Sequence, residues 1–309
     1  MHFFKKLGQV LFSILPFIIV LCIQLILMIP FVVFTFAYSI MESNSKSGFN
    51  LQTLLNQVSK ITGSVPFNTA FFLVFSSTVI LLFGYWYISK FERPRNTLQK
   101  SLRSAYWHPL MVLGIIVLSA GLLYVSTYVM NFVSMVNPEW MHTFENMENS
   151  LNMDHLSIGL AIYAVLLGPI NEEIIFRGLT LGYAKKALPF WAANILQALL
   201  FGLYHMNMIQ GCYAFVIGLF FGYIREKGGS LIFSICLHII YNLFATFANG
   251  ILFFGNQHSV ILNCIWVILA VLLPLLGLFL YTKGVNKRAP MPVFEKVEKK
   301  KKEEQIPYI

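Results

Sequence analysis

Apolar residues along the chain come in long runs rather than in alternating or narrow helical stripes. Eight runs stand out, at about 10–38, 68–89, 109–134, 157–176, 190–206, 210–224, 231–248 and 259–282. A helix of about 20 residues crosses the roughly 30 Å hydrocarbon core of a bilayer, and most of the runs approach or exceed that length. Inside lipid each backbone N–H and C=O needs a partner within its own segment, so such runs are helical. Polar, turn-rich stretches separate them, among them SNSKSG at 43–48, ERPRN at 92–96, NPEW at 137–140 and EKGG at 226–229. The pattern predicts an all-α, polytopic transmembrane helix bundle of about eight spans, a multi-pass protein of the cell membrane. The first run follows Lys5 and Lys6 but is far longer than the apolar region of a signal peptide. It reads as a retained membrane helix.

Composition agrees. The 309 residues are 57% hydrophobic and 11% charged, where soluble domains carry about 45–50% and 25%. The formal charge of +9 is explained without nucleic acid, because positive charge collects on cytoplasmic loops. With the N-terminus cytoplasmic, eight spans put both termini inside and place 19 of the 22 basic residues there, leaving Lys46 and Lys60 outside and Arg177 at a span end. The outer loop 137–156 carries Glu139, Glu145, Glu148 and Asp154. Residues 1–156 then hold three spans, 248–284 the last one, and 285–309 a basic cytoplasmic tail expected to be disordered, a stop-transfer and solubilising segment or one whose Lys299 to Lys302 attract anionic head groups of the lipid bilayer. Cys22, Cys212, Cys236 and Cys264 follow no CxxC spacing and are expected as reduced packing residues.

Candidate chemistry sits in one place. Of the 13 acidic residues, only Glu172 and Glu173 fall inside an apolar run. An ionisable side chain at membrane depth costs roughly 2.5–3.5 kcal/mol even on the lenient insertion scale and marks a functional site by default. Glu173 and Arg177 are four apart and share a helix face, so they can pair. Glu172 points about 100° away from Glu173 and is left free to act as a general base. His205 ends the next run. His238 lies within a later one, and Asn242 lies four residues on, on the same face. Two imidazoles, carboxylates and an amide suit amide hydrolysis, with one group activating water and others donating to the oxyanion. Zinc held by Glu172, His205 and His238 would be an alternative way to activate the water. No HExxH or GxSxG motif is present, and Cys236 lies on the opposite side of its helix from His238.

The set Glu172-Glu173-x-x-x-Arg177, Phe201-x-x-x-His205 and His238-x-x-x-Asn242, with 33 positions between Glu172 and His205 and 33 more to His238, resembles the CAAX-prenyl-protease and bacteriocin-processing family, also called the abortive-infection (Abi) family. The resemblance covers about 157–247 and includes Gly178 and the Gly228-Gly229-Ser230 turn. It implies an intramembrane endopeptidase with Glu172 as base, His205 as its partner, His238 and Asn242 at the oxyanion site, and Glu173 and Arg177 as orienting residues. The family is described both as a metalloprotease and as a metal-free glutamate protease, so the resemblance leaves the metal open. The implied substrate is a membrane-associated peptide or protein, approached from the cytoplasmic side. A non-catalytic immunity or regulatory protein is the alternative. A proton-relaying transporter fits less well, because inverted repeats are not evident. One tension is internal to this reading. The run boundaries put Glu172 near the inner side and His205 near the outer side, so the two meet only if the fourth helix continues past Arg177 or a turn near 185–189 re-aims the fifth.

Overall fold

The computed structural model describes residues 2–46, 50–92, 107–150, 156–253 and 259–288. The tail from 289 onward and Asp154 lie outside the described residues, as does most of the loop after Glu92. Among the described residues the chain is all helical. The helices are α1 (His2–Lys46), α2 (Leu51–Thr62), α3 (Val65–Tyr87), α4 (Pro109–Val136), α5 (Pro138–Ser150), α6 (Ile158–Ala184), α7 (Phe190–Tyr204), α8 (Met208–Gly228), α9 (Leu231–Phe247) and α10 (Val260–Asn286).

Six of these helices, α1, α3, α4, α6, α8 and α10, are long and apolar enough to cross a membrane. The runs at 190–206 and 231–248 form shorter apolar helices of 15 and 17 residues. The protein is therefore a multi-pass membrane protein, and two of its eight apolar runs make helices shorter than a full crossing. Helix starts follow local chemistry. Asn50, Ser64, Asn207 and Ser230 each cap a helix, their side chains accepting from the N–H of Thr53, Phe67, Gln210 and Ile232. Gly229, in the left-handed region at φ 77°, ends α8.

Packing follows the sequence directly. On α3 every fourth residue is buried, Phe71, Phe75, Val79, Phe83 and Tyr87, so one stripe faces the core. Helices α4 and α10 pack backbone to backbone. A Cβ at Gly114 would lie 2.8 Å from the Gly277 carbonyl oxygen, and one at Gly277 2.6 Å from the Leu118 nitrogen. Small residues are the usual device for such close approach between membrane helices. Cys22 and Cys264 are exposed on the outer surface rather than packed inside, and all four cysteines are free thiols.

Side-chain contacts sort the helix ends into two sets. At one end Trp86 of α3 donates to Tyr183 of α6 at 2.9 Å, Lys185 pairs with Glu226, Tyr281 of α10 donates to the Ile224 carbonyl, and Arg288 donates to the Gly228 carbonyl. At the other end the Thr69 and Ser157 hydroxyls lie 3.4 Å apart, Tyr128 donates to the Asn263 carbonyl, and Val133, Phe144 and Ile209 cluster. The first end carries Lys185, Lys186, Arg225, Lys227, Lys283, Lys287 and Arg288. The second carries Glu139, Glu145 and Glu148 on α5, with Lys60 on α2.

Candidate active site

Helix α6 runs from Ile158 to Ala184, so it passes Arg177 by seven residues and places Glu172 near its midpoint. This resolves the tension in the sequence reading, since the fourth helix does continue and the turn at 185–189 follows it. Two π-helical segments, Tyr163–Leu167 and Glu173–Thr180, flank the turn that bears Glu172. Such wide turns are rare and are found preferentially at functional sites.

The two glutamates have different surroundings. The Glu173 side chain is fully buried, and its Oε1 accepts from Arg177 Nη1 at 2.9 Å and lies 3.0 Å from His238 Nδ1. The Arg177 guanidinium is equally buried. It also donates to the Gly218 carbonyl at 3.3 Å and lies over the rings of Phe201 at 4.2 Å and Phe221 at 5.1 Å. The expected Glu173–Arg177 pair is thus present, enclosed by aromatic faces that favour a cation. Glu172 stands outside this pair and retains 15% exposure, against none for Glu173.

His238 lies between the carboxylates, with Nε2 3.5 Å from Glu172 Oε2 and Nδ1 on Glu173. A carboxylate on Nδ1 selects the tautomer that protonates this nitrogen and leaves Nε2 as the acceptor toward Glu172. His205 follows α7 directly. Its Nδ1 lies 2.9 Å from the Phe201 carbonyl, which fixes that ring in the same way. The next residue, Met206, takes the left-handed conformation at φ 51°, where the chain reverses into α8. Asn242 donates to the Ala164 carbonyl at 2.8 Å, inside the first π segment.

Glu172, His205, His238 and Asn242 all line one cavity of about 400 Å³. Glu173 and Arg177 lie behind its wall and support it. The structure therefore brings four of the six expected residues to a common surface, with the other two directly beneath. The metal set is a different matter. Among the described residues, no three His, Cys, Asp or Glu side chains form a group able to hold an ion. His238 Nδ1 is bonded to Glu173 and His205 Nδ1 to the Phe201 carbonyl, which leaves the Nε2 atom of each ring outside those bonds, an arrangement that orients an imidazole equally for a proton or for a metal.

The sequence reading missed an amide relay between α7 and α8. Asn194 donates to the Leu219 carbonyl at 3.0 Å. Gln197 donates to Asn194 Oδ1 at 2.8 Å and to the Gly218 carbonyl at 3.0 Å, the same oxygen that Arg177 reaches. Asn194 and Gln197 are both fully buried. Two amides three residues apart inside an apolar run were the available signal, since polar groups at membrane depth bridge helices. Also unexpected are Tyr163, Tyr204 and Tyr241 in the cavity wall, and Phe144, Met147 and Glu148 of α5 at its rim.

A water molecule in this cavity would meet a carboxylate and two tautomer-fixed imidazoles, which is the equipment of amide hydrolysis. Residues 154–244 match the family model of type II CAAX prenyl endopeptidase Rce1-like proteins. No curated protein and no solved structure matches the chain. The matched segment carries all six expected site residues, and the family it matches is the one its motifs resemble.

Proposed function

We propose that the protein is an intramembrane endopeptidase in which Glu172 takes a proton from water while that water attacks a peptide carbonyl. The C–N bond then breaks, the hydroxyl stays on the acyl carbon, and the proton passes to the departing amine. The observation that carries this reading is the asymmetry of the two carboxylates. Glu173 is consumed by Arg177 and His238, and Glu172 alone faces the cavity. His238, oriented by Glu173, holds its Nε2 toward Glu172 and serves as the group that shares its proton. This role differs from the oxyanion role that the resemblance implies for His238. His205 turns its free nitrogen to the cavity and positions the water. The second N–H of the Asn242 amide, beyond the one given to Ala164, is the donor available to the developing oxyanion.

The test compares wild type with Glu172→Gln in matched membranes, reading peptides by mass spectrometry after both are shown to be inserted and folded. Cleavage is expected to fall by about 10²–10⁴-fold, the usual worth of a positioned general base. Identical peptide patterns from the two would sink the peptidase reading.

A further inference from the structure

We infer that the substrate is an exported peptide segment, apolar around the scissile bond, which enters the cavity from the extracytoplasmic face beneath α5. The inference rests on the peptidase reading for its chemistry, but its direction of access rests on separate observations.

The cavity lies in one half of the bundle. Its lining is drawn from 156–172 at α6, 201–205 at the end of α7, 210–217 in α8 and 238–246 in α9, with Gln24 of α1, Phe72 and Phe75 of α3 and 144–148 of α5. Each of these stretches lies between Glu172 and the end of the molecule that carries α5. Nothing from 173–200 or 218–237 contributes to it. On that other side the bundle is filled. Phe176, Leu179, Phe221 and Ile224 are all completely buried, and the Glu173–Arg177 pair lies among them. A substrate therefore reaches Glu172 from the α5 end.

The ends differ in charge. The filled half ends in Lys185, Lys186, Arg225, Lys227, Lys283, Lys287 and Arg288 against Glu226, and the α5 half carries Lys46, Lys60 and the three glutamates of α5. Lysine and arginine concentrate on the cytoplasmic side of membrane proteins. The filled half is then cytoplasmic and the mouth opens outward, contrary to the cytoplasmic approach expected from the sequence.

The mouth also constrains the occupant. A volume of about 400 Å³ lies at the small end of ligand pockets, which span roughly 300–1,000 Å³. It admits a short extended stretch of chain rather than a folded domain. Phe72, Phe75 and Leu160 along the wall, with Phe144 and Met147 at the rim, offer apolar surface to the residues beside the cut.

Two measurements test this. Thr246→Cys at the cavity rim and Lys186→Cys at the filled end are labelled in intact cells with a membrane-impermeant maleimide, each against the parent with its four native cysteines. Glu145→Cys, on the exposed face of α5, reports the same side if Thr246→Cys does not fold. Thr246→Cys is expected to label in intact cells, and Lys186→Cys only after permeabilisation. The reverse result overturns the inference whether or not the protein is a peptidase. Short quenched-fluorescent peptides with apolar central residues are then added to right-side-out and inside-out vesicles. Cleavage at least tenfold faster in right-side-out vesicles is expected, and faster cleavage in inside-out vesicles overturns the inference. No cleavage in either, with Thr246→Cys labelled from outside, overturns the peptidase reading while the outward mouth stands.

Discussion

Glu173→Gln separates the two jobs assigned to the Glu173–Arg177 pair. The substitution keeps the shape of the side chain but removes its charge. Arg177 keeps its bond to the Gly218 carbonyl and its place over Phe201 and Phe221, contacts worth up to about 2 kcal/mol from desolvated rings. It loses the 2.9 Å charge-assisted bond and becomes a buried charge without a counter-ion. Breaking a buried pair in this way costs about 3–5 kcal/mol. Removing both charges, as in Glu173→Gln with Arg177→Met, is expected to recover most of that loss, because a buried pair contributes little net stability over apolar groups of similar size. Unfolding in mixed micelles, with activity measured on the same samples, completes the double-mutant cycle. Stability should return in the double variant but activity should not, since His238 has lost the carboxylate on Nδ1. A deficit of about 10²–10⁴-fold is expected, as when a catalytic imidazole loses its orienting acid. A double variant that cleaves like wild type would refute the orienting role. A single-variant cost under about 1 kcal/mol, the range of exposed pairs, would refute the enclosed-pair account.

Further outcomes follow from the same geometry. His205→Ala should lower cleavage by about 10²-fold or more and leave the unfolding midpoint nearly unchanged, because its one resolved hydrogen bond is to the carbonyl of Phe201 on its own helix; a large stability loss would contradict this. Gly222→Ala should destabilise by about 1–3 kcal/mol, since its Cβ would collide with Asn194 Oδ1 and dislodge the Gln197 amide from the Gly218 carbonyl. Gly277→Ala should do likewise by forcing α10 off the backbone of α4 at Leu118, without a specific effect on the turnover of the folded fraction.

How much of this was legible in the sequence depends on how charge is counted. Apolar run length found the spans, because backbone satisfaction in lipid leaves few alternatives to helix. The six site residues were legible because polar groups at membrane depth are costly enough to be rare. The end of α6 was misplaced for the same reason. Arg177 reads as a span terminus when each charge is priced alone, yet its partner sits one turn back on the same helix, under two aromatic rings. The pair enters the bundle as one nearly neutral polar unit and the helix runs on to Ala184. The error moved Glu172 from mid-helix to the rim and created a false separation from His205. The π turns around Glu172 escaped because periodicity over so few residues does not distinguish 3.6 from a wider turn. Helix α5 escaped because PEWMHTFENMENS reads as a polar outer loop, although Phe144 is buried and lines the cavity. Both misses act in one direction. They hide the half of the site that lies between Glu172 and α5. Pricing acidic and basic residues as pairs at helical spacing, before fixing span ends, places Glu172 mid-membrane from sequence alone and leaves the choice of face to the loops.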